Sequence, residues 1–135
     1  MHLIITAATA AALGLLLIAL SIDAINRRMV LRVPFGDGGD QGLMAAIRAH
    51  ANLTEYMPIG LAQIGLLESN GAQPLALSIV AALFVLVRLA HAYGLRGSHD
   101  KLTLGRSVGI IGTLLVLATM SGWLLALIAR PYLGF

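Results

Sequence analysis

The sequence predicts an all-α membrane protein, a bundle of four transmembrane helices. Two observations carry this. The 135 residues are 59% hydrophobic and only 11% charged, whereas a soluble domain carries roughly a quarter charged residues because its outside must face water. Apolar stretches of about 20 residues, the length that crosses the hydrocarbon, also recur along the chain with short polar breaks between them.

One four-span domain, 1–135, accounts for the whole length. The absence of cysteine excludes disulfides, thiolate metal sites and a cysteine nucleophile, so thiol chemistry requires a thiol brought by a substrate. No metal site is expected. The net charge of +3 is carried at span ends and inside spans rather than on one soluble face, which argues against nucleic acid as a partner.

Span one is expected over about 3–24, ending at Arg27, Arg28 and Arg32. No positive segment precedes it and its apolar run is long for a signal peptide, so it reads as a retained anchor. "VPFGDGGDQG", 33–42, breaks both helix and strand periodicity and forms the first loop. Span two, about 43–67, is unlike the others because Arg48, His50, Asn52, Thr54 and Glu55 interrupt its first half. Its apolar part, 57–67, is only about 16 Å long at 1.5 Å per residue, so the polar half must enter the membrane or lie close to its face. "ESNGAQP", 68–74, reads as a tight turn with a helix stop at Gly71 and a restart around Pro74. Span three covers about 75–95 and carries Arg88 and His91 near its end; span four covers about 106–129.

The first and third loops hold Arg27, Arg28, Arg32, Arg96 and Lys101, and the second holds no lysine or arginine. The positive-inside rule therefore puts both termini outside the cytoplasm. The expected location is a bacterial inner membrane.

The chemistry concentrates on span two. Arg48, Asn52 and Glu55, spaced i, i+4, i+7, share one helical stripe. An arginine fork suits a carboxylate, an asparagine both donates and accepts, and a glutamate accepts from an ammonium, so the stripe suits a zwitterion such as an amino acid or small peptide. Pro58 leaves the Thr54 carbonyl without its helical partner and favours a kink one turn further on. The plain alternative is that Arg48 and Glu55 only hold the bundle together, but ionisable groups inside spans are costly and by default mark function.

Arg88 and His91, at i and i+3, share a face of span three, where snorkelling or a structural hydrogen bond is an equally good account. Arg106 and Ser107 open span four, where unpaired N–H groups favour an anion, although Arg106 also fits a positive-inside marker. Gly105, Gly109 and Gly112 form a small-residue stripe, read as helix packing.

At "IRAHANLTEYMPIGL" the chain resembles the membrane-associated proteins in eicosanoid and glutathione metabolism, a family of microsomal glutathione transferases and leukotriene and prostaglandin synthases. The pattern of Arg48, Asn52, Glu55, Tyr56 and Pro58 is specific, and "NRRMVLRVP", "VRLAHAYG" and "GRSVG" extend the resemblance over most of the chain. It implies a homotrimer binding glutathione, the co-substrate, between subunits near the cytoplasmic face. By position, Arg28, Arg48, Asn52, Glu55, Tyr56, Arg88, His91 and Ser107 would bind glutathione. Arg106 matches the arginine placed beside the glutathione sulfur, where positive charge favours thiolate. The implied activity is a glutathione transferase or peroxidase acting on hydrophobic electrophiles drawn from the lipid. Ile110 and Leu95 stand where relatives place tyrosines, so leukotriene or prostaglandin specificity does not follow. Two other readings compete: a family member without catalysis, and a small transporter using Glu55, against which Arg48 on the same stripe would repel cationic cargo.

Overall fold

The computed structural model describes residues 3–96 and 103–133. Lys101, one of the basic residues of the third loop, lies outside them. The described residues form four helices: α1 (Ile4–Leu31), α2 (Gln41–Ser69), α3 (Pro74–Arg96) and α4 (Leu104–Leu133). Each runs antiparallel to the one before it. α2 and α3 form the centre, since each touches all three other helices, and α1 and α4 lie on either side without meeting.

Three helices, Ile4–Leu31, Pro74–Leu95 and Leu104–Arg130, are long and apolar enough to cross a membrane. α2 falls short of that composition, because Arg48, His50, Asn52 and Glu55 in its first half and Gln63 further on lower its mean hydropathy. The outward surfaces are those of a lipid-embedded bundle. Leu15, Ile18, Ile22 and Ile25 of α1 and Leu114, Leu115, Leu125 and Ile128 of α4 are all exposed, a pattern that water would penalise and hydrocarbon does not.

The helix ends follow local chemistry. α1 outruns the apolar stretch expected at about 3–24, because hydropathy marks the hydrocarbon boundary and not the end of the hydrogen-bond ladder. It stops where Arg32 adopts a left-handed conformation (φ 53°) and the N–H groups of Arg32 and Val33 donate to the Met29 and Arg28 carbonyls, a Schellman ending with arginine in the position glycine usually takes. Asp40 caps α2 through Leu43 N–H at 2.7 Å. Pro58 sits inside α2, which continues unbroken to Ser69. At the α2–α3 turn Gly71 takes φ +73° while Ala72 N–H donates to the Leu67 carbonyl at 3.0 Å. Pro74 then opens α3, where a missing N–H costs nothing.

Two contacts lock the ends together. Glu68, at the end of α2, accepts from the N–H groups of Ile5 (2.9 Å) and Thr6 (2.8 Å) and from the Thr6 hydroxyl (2.6 Å). It thus caps another helix, supplying negative charge where α1 exposes its first N–H groups. Desolvation alone would raise the Glu68 pKa, but the Thr6 hydroxyl and the Ile5 and Thr6 N–H groups outweigh it and hold the carboxyl below its ordinary value. At the opposite end Thr103 accepts from Arg106 N–H at 3.3 Å, which caps α4, and donates to the Gly94 carbonyl of α3 at 2.8 Å.

α3 and α4 meet most closely. A Cβ built on Gly94 would stand 2.2 Å from Arg106 N, and one on Gly109 2.4 Å from the His91 Cβ. One on Gly112 would stand 2.6 Å from a Val87 methyl, so the glycine stripe of α4 is a packing seam, as its spacing suggests.

Candidate functional site

The glycine seam brings α3 close enough to α4 for Arg88 to use the α4 backbone. Arg88 is 2% exposed. Its Nη1 donates to Asn52 Oδ1 of α2 at 2.7 Å, and its Nη2 donates to the Gly109 carbonyl at 3.3 Å and to the Thr113 hydroxyl. The Thr113 hydroxyl in turn donates to the Gly109 carbonyl at 2.6 Å. The guanidinium carbon also lies 5.1 Å from the centre of the Tyr56 ring, within cation–π range. Among the described residues no carboxylate stands within ion-pair distance of Arg88. The charge is held instead by oxygen dipoles and an aromatic face, and its Nε has no acceptor.

His91, one turn along α3, is 4% exposed. Its Nδ1 faces the Arg106 carbonyl at 3.4 Å, an oxygen that accepts from the ring when Nδ1 carries the proton. Arg106 itself is half-buried, with an Nε that has no hydrogen-bond partner. Ser107 beside it is also half-buried.

The residues of α2 divide. Asn52 and Tyr56 are half-buried, turned toward Arg88, while Arg48 and Glu55 are exposed on the outside of the bundle. Arg28 is engaged elsewhere: its Nη1 donates to the Gly36 carbonyl at 2.8 Å and the Pro34 carbonyl at 3.4 Å, holding the first loop. It also borders a groove of about 380 Å³ between α1 and α2, lined by Ser21, Ile47, His50 and Ala51 among others. The fold therefore brings Asn52, Tyr56 and Arg88 into one cluster and His91 and Arg106 into a second. No hydrogen bond or ion pair among the described residues joins Arg48 or Glu55 to either cluster.

A family model matches this arrangement of sequence over residues 6–126, described as the MAPEG family. The chain belongs to the MAPEG family. It is 37% identical over 107 residues to the inner membrane protein YecN of Escherichia coli K12, covering 79% of each chain. The counterpart of that protein in Escherichia coli O6:H1 matches to the same extent. The chain is thus a membrane protein of a family associated with glutathione in general, with transmembrane helices to match.

Sequence reasoning left two residues of this region out of the site. Thr113 is the α4 acceptor for Arg88, and its signal was present as a hydroxyl one turn beyond Gly109 in an apolar helix. His50 lies in the groove beside Arg28; two residues from Arg48, it falls on another face of α2 and outside the stripe.

Proposed function

We propose that the chain is the subunit of a membrane-bound, glutathione-dependent transferase that conjugates hydrophobic electrophiles arriving from the lipid. The observation that carries this reading is the exposed pair Arg48 and Glu55 on α2, beside the half-buried Asn52 and Tyr56 and the buried Arg88 that they face. Seven residues of helix separate the pair by about 10 Å, close to the reach of an extended tripeptide. Arg48 suits a carboxylate and Glu55 an ammonium.

The same pair supports the rest of the architecture. α2 is 29 residues long and tied at its C-terminal end to the start of α1 through Glu68, which supports reading it as the fourth span. Charges turned toward hydrocarbon are costly, so copies of the chain would cover this face, in a homotrimer with glutathione between subunits. Both termini would lie outside the cytoplasm; a reporter active only outside the cytoplasm should be active when fused after Phe135.

In the reaction, Arg106 provides fixed positive charge at the sulfur. The thiol proton leaves to water, the thiolate attacks an electrophilic carbon to form the C–S bond, and the leaving group departs with its electron pair. A half-buried guanidinium with an unsatisfied N–H favours the anion over the thiol. The test is thiolate absorbance of bound glutathione against pH, together with turnover of an aryl halide and of a lipid hydroperoxide, for the wild type and Arg106→Leu. Expected are a depressed thiol pKa in the wild type, and a raised pKa with slower turnover in the variant. A folded Arg106→Leu protein with unchanged pKa and turnover would remove Arg106 from the chemistry. Turnover of hydroperoxide alone would make the activity a peroxidase.

A further inference from the structure

We infer that Arg88 is a positioning residue that makes Asn52 a hydrogen-bond donor only, so that the α2 site takes an acceptor atom of its ligand at Asn52 and confines the ammonium to Glu55. This rests on the proposed glutathione site and fixes how a ligand lies along it.

An asparagine amide is ambivalent, with a carbonyl that accepts and an NH₂ that donates. A guanidinium is not, because it has five N–H groups and no acceptor. When Arg88 Nη1 lies 2.7 Å from the Asn52 side chain, the amide oxygen must be the atom facing it, and the amide cannot flip. Asn52 is half-buried while Arg88 is 2% exposed, so the carbonyl end points inward and the NH₂ is the end left to the surface. Arg88 is itself fixed from the far side by the Thr113 hydroxyl and the Gly109 carbonyl, so it cannot turn to follow the ligand. Charge on the guanidinium also polarises the amide it holds, which strengthens the outward N–H groups as donors.

The outward pattern along α2 is then a cation at Arg48, a neutral donor at Asn52 and a single anion at Glu55. Such a row selects a ligand whose carboxylate, second acceptor and ammonium follow one another in that order. The second acceptor is a carboxylate or peptide carbonyl; a second ammonium is refused. Arg88 acts on the ligand only through Asn52, and its burial leaves it no direct contact of its own.

Two substitutions separate this from a merely structural role. Asn52→Asp keeps an oxygen for Arg88 and strengthens that contact by charge, yet strips the outward donor. Asn52→Ala removes the donor without adding charge. The experiment measures glutathione affinity by calorimetric titration, and the unfolding midpoint, of the purified protein in mild detergent. Expected is a loss of affinity of about tenfold or more in both variants, with the midpoint of Asn52→Asp at or above that of the wild type. Wild-type affinity in either stably folded variant would overturn the inference. Weakening in Asn52→Asp alone would also overturn it, because charge repulsion then explains the loss. Failure of the wild type to bind glutathione would overturn the proposed function and this inference with it.

Discussion

The seam between α3 and α4 and the outward face of α2 use the same kinds of residue to opposite ends. In the seam, Arg88 and His91 are buried and each reaches an α4 backbone carbonyl, because glycines let the two helices come within backbone contact. On α2, Arg48 and Glu55 are exposed and joined to nothing in the seam. A buried polar group that is satisfied locally contributes rigidity, and one left open at a costly position is available to a ligand or a neighbouring copy. The difference between holding and waiting is set by depth in the bundle, which residue type does not reveal.

That contrast can be broken most forcefully in the seam. Gly109→Leu should cost about 3 kcal/mol or more, because even the first added carbon meets His91 at 2.4 Å. The check is the unfolding midpoint in mild detergent, with Gly122→Ala, where a Cβ meets nothing within 4 Å, as the tolerated control. Arg88→Met should cost about 2 kcal/mol by leaving the Asn52 oxygen and the Thr113 hydroxyl without their donor. A midpoint equal to that of the wild type would show that the guanidinium does not hold the seam.

Glu68→Gln sharpens the comparison at the other end of the bundle, where a charge is again spent on structure. The expected loss at neutral pH is about 1 kcal/mol, the usual worth of a helix N-cap. Because the folded-state pKa of Glu68 lies below its ordinary value of 4.5, the stabilisation is complete above that value and is lost as pH falls through the lower folded one. The difference between wild type and variant should therefore shrink on acidification; a constant difference would deny the carboxylate its role. The smallest effect on stability belongs to Arg48→Ala and Glu55→Gln, each expected within about 0.5 kcal/mol of the wild type, since no bundle contact is lost.

Much of the fold was legible because its signals are local. Gly71 and Pro74 mark a turn through backbone rules, and the spacing of Gly105, Gly109 and Gly112 marks a packing stripe whatever the partner helix is. The stripe of Arg48, Asn52 and Glu55 was legible for the same reason, but its division was not: Asn52 is engaged by Arg88, 36 residues away, while its neighbours on the stripe stay exposed. The reach of Glu68 across 62 residues to Thr6 is equally invisible to periodicity. Arg28 reads from the basic run as a topology marker and from the resemblance as a glutathione contact; its hydrogen bonds to the Pro34 and Gly36 carbonyls are legible in neither.

On the proposed function, the open half of the polar set is a glutathione site and the closed half its support. Glutathione titrated into the wild type, Arg48→Ala and Glu55→Gln, each purified in mild detergent with its unfolding midpoint recorded, tests it most directly. Expected is saturable binding to the wild type, weakened about tenfold or more in each variant, at unchanged midpoints. Equal affinities in all three proteins, or losses that only track a falling midpoint, would contradict it.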